Sequence, residues 1–122
     1  MNKVILVGNL KQAPALRHTR QGVPYCAFTV DCARHGRRAL WRGAAPTFDG
    51  VPCWAWGRVA EEFARGALAC MQVVVEGRLE VVVRRQDGGA HKAVRVHAYR
   101  IDTAVNPRSG EVLRFDAAEL PF

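Results

Sequence analysis

Trp54 and Trp56 stand two residues apart in the stretch Val51-Pro52-Cys53-Trp54-Ala55-Trp56-Gly57. In an extended chain that spacing sends both indoles to the same side. Flat rings can stack on other flat groups, and every nucleobase presents a π-face whatever its sequence. Trp41 is a further aromatic on the approach to this stretch, and Phe48 and Tyr25 are lesser candidates that read first as structural. Cations gather in two places: Arg34, Arg37, Arg38 and Arg42 ahead of the tryptophans, and Arg84, Arg85 and Lys92 around Gln86-Asp87-Gly88-Gly89. Lys3 and Arg17 add to them. Guanidinium pairs with phosphate through a planar fork and also stacks on rings, so this set suits a flexible polyanion carrying flat groups. The competing reading packs both tryptophans in the core and leaves the charges as a solvated surface.

Bulk charge points the same way. Lys and Arg number 18 against 11 Asp and Glu, a net charge of +7, and all but Lys3, Lys11 and Lys92 are arginine. Residues 103–122 hold Arg108 and Arg114 against Glu111, Asp116 and Glu119, so the surplus lies entirely in residues 1–102. A basic surplus of this size favours a nucleic-acid partner. The four cysteines, Cys26, Cys32, Cys53 and Cys70, are far apart, without C-x-x-C or Cys/His metal spacing, and read as small buried apolar residues of a reducing compartment. No metal or other cofactor is expected. No nucleophile motif surrounds Cys53 or Cys70, and no glycine-rich phosphate loop occurs, so the chain does not read as an enzyme. With no apolar stretch long enough to span a bilayer and no secretory signal pattern, a cytoplasmic protein is expected, with no membrane partner.

The elements that must position these residues are mostly strands. In Val4-Ile5-Leu6-Val7-Gly8-Asn9-Leu10 both alternating faces are apolar: Val4, Leu6 and Leu10 on one, Ile5 and Val7 on the other. One face can line a barrel, and the other needs a cover such as a second copy of the chain. Gly8 marks a sharp bend or a close backbone approach. Lys11 to Arg17 interrupts the pattern, Gly22 and Pro24 signal a turn, and Tyr25–Cys32 alternates with Cys26, Phe28, Val30 and Cys32 on one face. A long basic loop leads to the tryptophan strand, where Pro52 implies an edge or bulge, and Val59–Ala64 reads as a short helix. Gln72–Arg85 alternates with Val73, Val75, Leu79, Val81 and Val83 lining one apolar face and Gly77 among them as a bend point. After a hairpin turn at Asp87-Gly88-Gly89, the last strand runs from about His91 to Ile101 with Val94, Val96 and Ala98 inward. Five strands with one short helix between the third and fourth is the order of an all-β OB-fold, a Greek-key barrel. Residues 1–102 make the barrel and 103–122 a short flexible tail.

These segments also carry a family likeness. Asn2-Lys3-Val4-Ile5-Leu6-Val7-Gly8-Asn9-Leu10, then Pro14, Leu16-Arg17, Thr19 and Gly22, resemble the opening of a bacterial single-stranded DNA-binding protein. Phe28-Thr29-Val30, Trp56-Gly57-Arg58-Val59-Ala60-Glu61, Val73-Val74-Val75-Glu76-Gly77-Arg78-Leu79 and Asp87-Gly88 continue the likeness in order. The resemblance implies sequence-independent binding of single-stranded DNA in replication, recombination and repair, association with the nucleoid, and assembly into a homotetramer, with a dimer as the alternative. Val4, Ile5, Leu6 and Val7 would form the subunit interface. Trp56 holds the position of a stacking aromatic, immediately before the glycine that ends the third strand. Asp116 and Glu119-Leu120-Pro121-Phe122 resemble the acidic Pro-Phe tip through which that family recruits replication and repair enzymes.

Two departures are visible. Val82-Val83-Arg84-Arg85 stands where the family commonly has another aromatic near the last hairpin, and Gly50 replaces the usual aromatic at the start of the third strand unless Phe48 takes that role. With fewer stacking platforms, the alternative is an OB-fold adaptor resembling primosomal replication protein N, which engages a replication partner first and nucleic acid weakly.

Overall fold

The structure, a computed structural model, describes residues 1–34, 47–103 and 114–116. Seven strands and one helix follow in order: β1 Val4–Leu10, β2 Ala15–His18, β3 Pro24–Arg34, β4 Thr47–Trp56, α1 Gly57–Gly66, β5 Gln72–Gln86, β6 Gly89–Thr103 and β7 Arg114–Asp116. The sheet runs β1-β5-β6-β4-β3, and β1 pairs back onto β3 at Asn9↔Asp31 and Leu10↔Val30, which closes a five-stranded barrel. One pairing in the ring is parallel, β4 on β6 at Cys53↔Val96 and Trp54↔His97. This is the OB-fold expected from the order of elements, with α1 between the third and fourth barrel strands.

Closure depends on two glycines. A Cβ on Gly8 would lie 2.3 Å from the Asp31 carbonyl oxygen, where β1 leaves β5 for β3, and one on Gly77 would lie 2.2 Å from the His97 carbonyl oxygen. Gly77 also stands at a bulge in the β5–β6 ladder, where Glu76 pairs with Arg100 and Gly77 with Ala98, so Tyr99 is the extra residue on β6. Only a residue without a side chain lets the backbones approach this closely. Alternation then fills the barrel. Leu10, Cys26, Phe28, Val30, Cys53, Ala55, Val73, Val75, Val96 and Ile101 are buried inward, and α1 seals the end with Val59, Ala60 and Phe63. Burial pushes the Cys26 and Cys53 thiols up to about 11 and about 12, so both stay protonated core residues. Cys70 differs from that expectation, being exposed with a φ of 66°.

Other expectations need correcting. Leu79, Val81, Val83 and Val94 share the expected face, yet all four are exposed. The reason is length. β1 covers β5 only as far as Val4↔Gly77, and β4 covers β6 only at Val96 and His97, so the outer hairpin overruns the barrel as an uncovered ribbon. Lys11 to Arg17 is not wholly irregular, because Ala15–His18 lies along β3 as the short β2. Residues 114–116, read from sequence as tail, pair with β6 as β7 and bury Phe115. Of Val4, Ile5, Leu6 and Val7, only Ile5 and Val7 face outward, at 62% and 54% exposure, while Val4 and Leu6 pack against the core. No helix among the described residues is long and apolar enough to cross a membrane.

Candidate nucleic-acid interface

With Cys53 and Ala55 buried in the barrel, Phe48, Gly50, Pro52, Trp54 and Trp56 of β4 must share its outer face. On β3 the residues opposite are Tyr25 beside Trp56 and Ala27 beside Trp54. Ala27 is small, and Tyr25 stands against both indoles. Its ring centre lies 5.4 Å from that of Trp54, at 16° between planes, and 5.2 Å from that of Trp56. The two indoles are 6.1 Å apart and stacked. The result is a half-buried aromatic patch on the surface, not a core cluster. Tyr25 belongs to it in full, where the sequence offers it only as a lesser candidate; its place on the outward face of β3 is the available signal. Phe48 is exposed on the same face, six residues along β4 from Trp54 and so roughly 20 Å away.

Beside the patch lies a cleft of about 570 Å³, lined by Lys11, Arg17, Tyr25, Trp54 and Arg84 among others. Arg17 sits across β2–β3 from Tyr25, and Arg84 comes from the far hairpin. Arg84, Arg85 and Lys92 are exposed on that hairpin. Lys11, Arg17, Arg84, Arg85 and Lys92 make no ion pair among the described residues, so their charges remain available to an anion. Lys3 and Arg34 are differently disposed. Lys3 Nζ lies 2.8 Å from Glu76 Oε1, and Arg34 forms a fork with both carboxylate oxygens of Asp49. Trp41, Arg37, Arg38 and Arg42 lie outside the described residues, as do Glu119, Leu120, Pro121 and Phe122.

On the β6 side of Trp54 the sequence reading missed a cluster of four residues, Arg95 and His97 of β6 with Arg78 and Glu80 of β5. His97 lies across the parallel pair from Trp54, and Arg95 holds its guanidinium carbon 4.4 Å from the centre of the Trp54 ring. Glu80 of β5 receives the Arg95 Nε–H at 3.0 Å, with Arg78 Nη2 and His97 Nδ1 each 3.3 Å from its other oxygen. Burial pushes the Glu80 carboxyl up, but the Arg95 hydrogen bond and the charges around it outweigh burial and hold it below the usual carboxylate range. Among the described residues no group of three or more His, Cys, Asp or Glu is placed to hold a metal.

An aromatic patch edged by cations that make no ion pair among the described residues can stack bases and neutralise phosphates without reading sequence. Residues 1–104 match the single-strand binding protein family. The single-stranded DNA-binding protein of Aquifex aeolicus is 26% identical over 123 aligned positions, covering 99% of this chain and 82% of that protein. Single-stranded DNA-binding protein 1 of Clostridium acetobutylicum is 30% identical over 95 positions, 77% of this chain and 84% of the relative. A 34% identity over 116 positions links it to the single-stranded DNA-binding protein of Bacillus cereus, covering 90% of this chain and 63% of that one.

Proposed function

Because this chain belongs to the single-strand binding protein family, we propose that it binds single-stranded DNA without sequence preference, in replication, recombination and repair. The family is a non-enzymatic one, and its chemistry is DNA binding. The observation that carries the reading is the Tyr25–Trp54–Trp56 patch, with Arg17, Lys11 and Arg84 on the walls of the adjoining cleft. Bases stack on the patch, while Arg85 and Lys92 extend the phosphate track along the hairpin. Trp41, Arg37, Arg38 and Arg42 belong to the same proposal, from the segment ahead of β4. Lys3 and Arg34 contribute less, since each already neutralises a carboxylate.

The test is a titration of tryptophan fluorescence with oligo(dT) at several salt concentrations, with duplex DNA as control. Strong quenching by oligo(dT) and weak quenching by duplex are expected. If Lys11, Arg17, Arg84, Arg85 and Lys92 each neutralise one phosphate, the log–log salt slope is about −3 to −4. Absence of binding would instead favour the primosomal-adaptor alternative.

Assembly is part of the proposal. Ile5, Val7 and Val74 leave an apolar strip on the outer face of β1 and β5, which a second copy covers in a homotetramer, or in a dimer if assembly stops there. Sedimentation velocity should give a species of four subunits, and a monomer at micromolar concentration would overturn this. Association with the nucleoid in the cytoplasm, and recruitment of replication and repair enzymes through Asp116, Glu119, Leu120, Pro121 and Phe122, complete the reading.

A further inference from the structure

Trp54 is flanked from both neighbouring strands. β4 lies between β3 and β6, and the indole meets Tyr25 from one and the Arg95 guanidinium from the other. Arg95 is itself tethered: its Nε–H donates to Glu80 across the β5–β6 ladder, and both side chains are only 19% exposed. Glu80 does not depend on Arg95 alone, since Arg78 and His97 also lie within 3.3 Å of it. Stripping a carboxylate of its sole partner strands a charge, but here Arg78 would remain. Arg95 is therefore the detachable member of the cluster. A phosphate offers its planar fork a bidentate acceptor that Glu80, engaged through Nε, does not fully use.

Resting on the single-strand reading above, we infer that Glu80 and Arg95 form a latch over Trp54. In the free chain Glu80 holds the guanidinium against the ring. A DNA phosphate draws it off, and a base takes its place on the indole. Arg95 is thus a positioning residue of the interface, and Glu80 sets how readily it yields. Trp56, which has no such cover among the described contacts, receives its base first.

Two readouts test this on the full chain. With Trp41 and Trp56 replaced by phenylalanine, Trp54 is the sole indole. Acrylamide quenching of the free protein should then rise about twofold on Glu80→Gln as the guanidinium leaves the ring, and unchanged quenching overturns the latch. With all three tryptophans present, Glu80→Gln should tighten oligo(dT) binding by about three- to tenfold, read by anisotropy of a labelled oligomer. The same substitution in an Arg95→Ala background should change affinity by less than about twofold, because the latch is already gone. An equal gain in both backgrounds means only that a negative charge was removed from a basic face, and it overturns the latch, as does no gain in either. If the unaltered chain does not bind oligo(dT), the single-strand reading fails and with it the DNA step. The acrylamide experiment still decides whether Glu80 holds Arg95 on the ring.

Discussion

Replacing Trp54 and Trp56 together with alanine is expected to weaken oligo(dT) binding by roughly 30-fold to 20,000-fold, on the basis of about 1–3 kcal/mol per stacked base. The fold should survive, because the rings lie half-buried on the outer face and the buried residues beneath them, Cys53 and Ala55, are untouched. The two single substitutions should not add up to the double. The indoles are 6.1 Å apart and both contact Tyr25, so losing one lets the others resettle. Trp56→Ala should be the costlier single change, since Trp54 must first shed Arg95. Anisotropy titration of the three variants, with thermal melts as the check on folding, measures all of this. Unchanged affinity in the double variant would remove stacking from the proposed function and leave the arginines as a phosphate track alone.

Much of this interface was legible in the chain, and the illegible part has a physical cause. Trp54 and Trp56 share a face because strands alternate, a rule that needs only their spacing. Gly8 and Gly77 were readable as bends for a similar reason, since a glycine in an apolar run implies close backbone approach. Alternation fixes which side a residue faces but not whether anything covers that side. That is why Leu79, Val81, Val83 and Val94 emerge on an overhanging ribbon. Arg95 escaped notice because its place depends on the parallel β4–β6 contact, more than forty residues apart in the chain. β2 and β7 are short strands templated by β3 and β6, and four or three residues carry no period of their own. Lys3 and Arg34 read as free cations until Glu76 and Asp49 are seen beside them.

Phe115→Ala is expected to cost about 3–5 kcal/mol of stability, the usual range for truncating a buried phenylalanine. Phe115 is 7% exposed, opposite Ile101 on β6, with its ring 5.5 Å from that of Phe63. Phe63 in turn meets Phe28 at 4.9 Å, so Phe115 caps a row of rings running from α1 into the barrel. Arg114 fastens the same short strand, its Nε 2.8 Å from Asp102 Oδ1. A domain of this size holds about 5–15 kcal/mol in total, so the loss should be plain in urea unfolding. Deleting Leu120–Phe122 should behave differently, with stability unchanged to within about 0.5 kcal/mol and oligo(dT) affinity intact, while capture of replication and repair enzymes is lost. Equal capture with and without those residues would end the recruiting role of the tip. The pair of measurements also decides where the folded unit stops. A large loss at Phe115 carries it to Asp116, through the pairing of β7 with β6. A loss under about 1 kcal/mol would make β7 a surface attachment and return the boundary to residue 102.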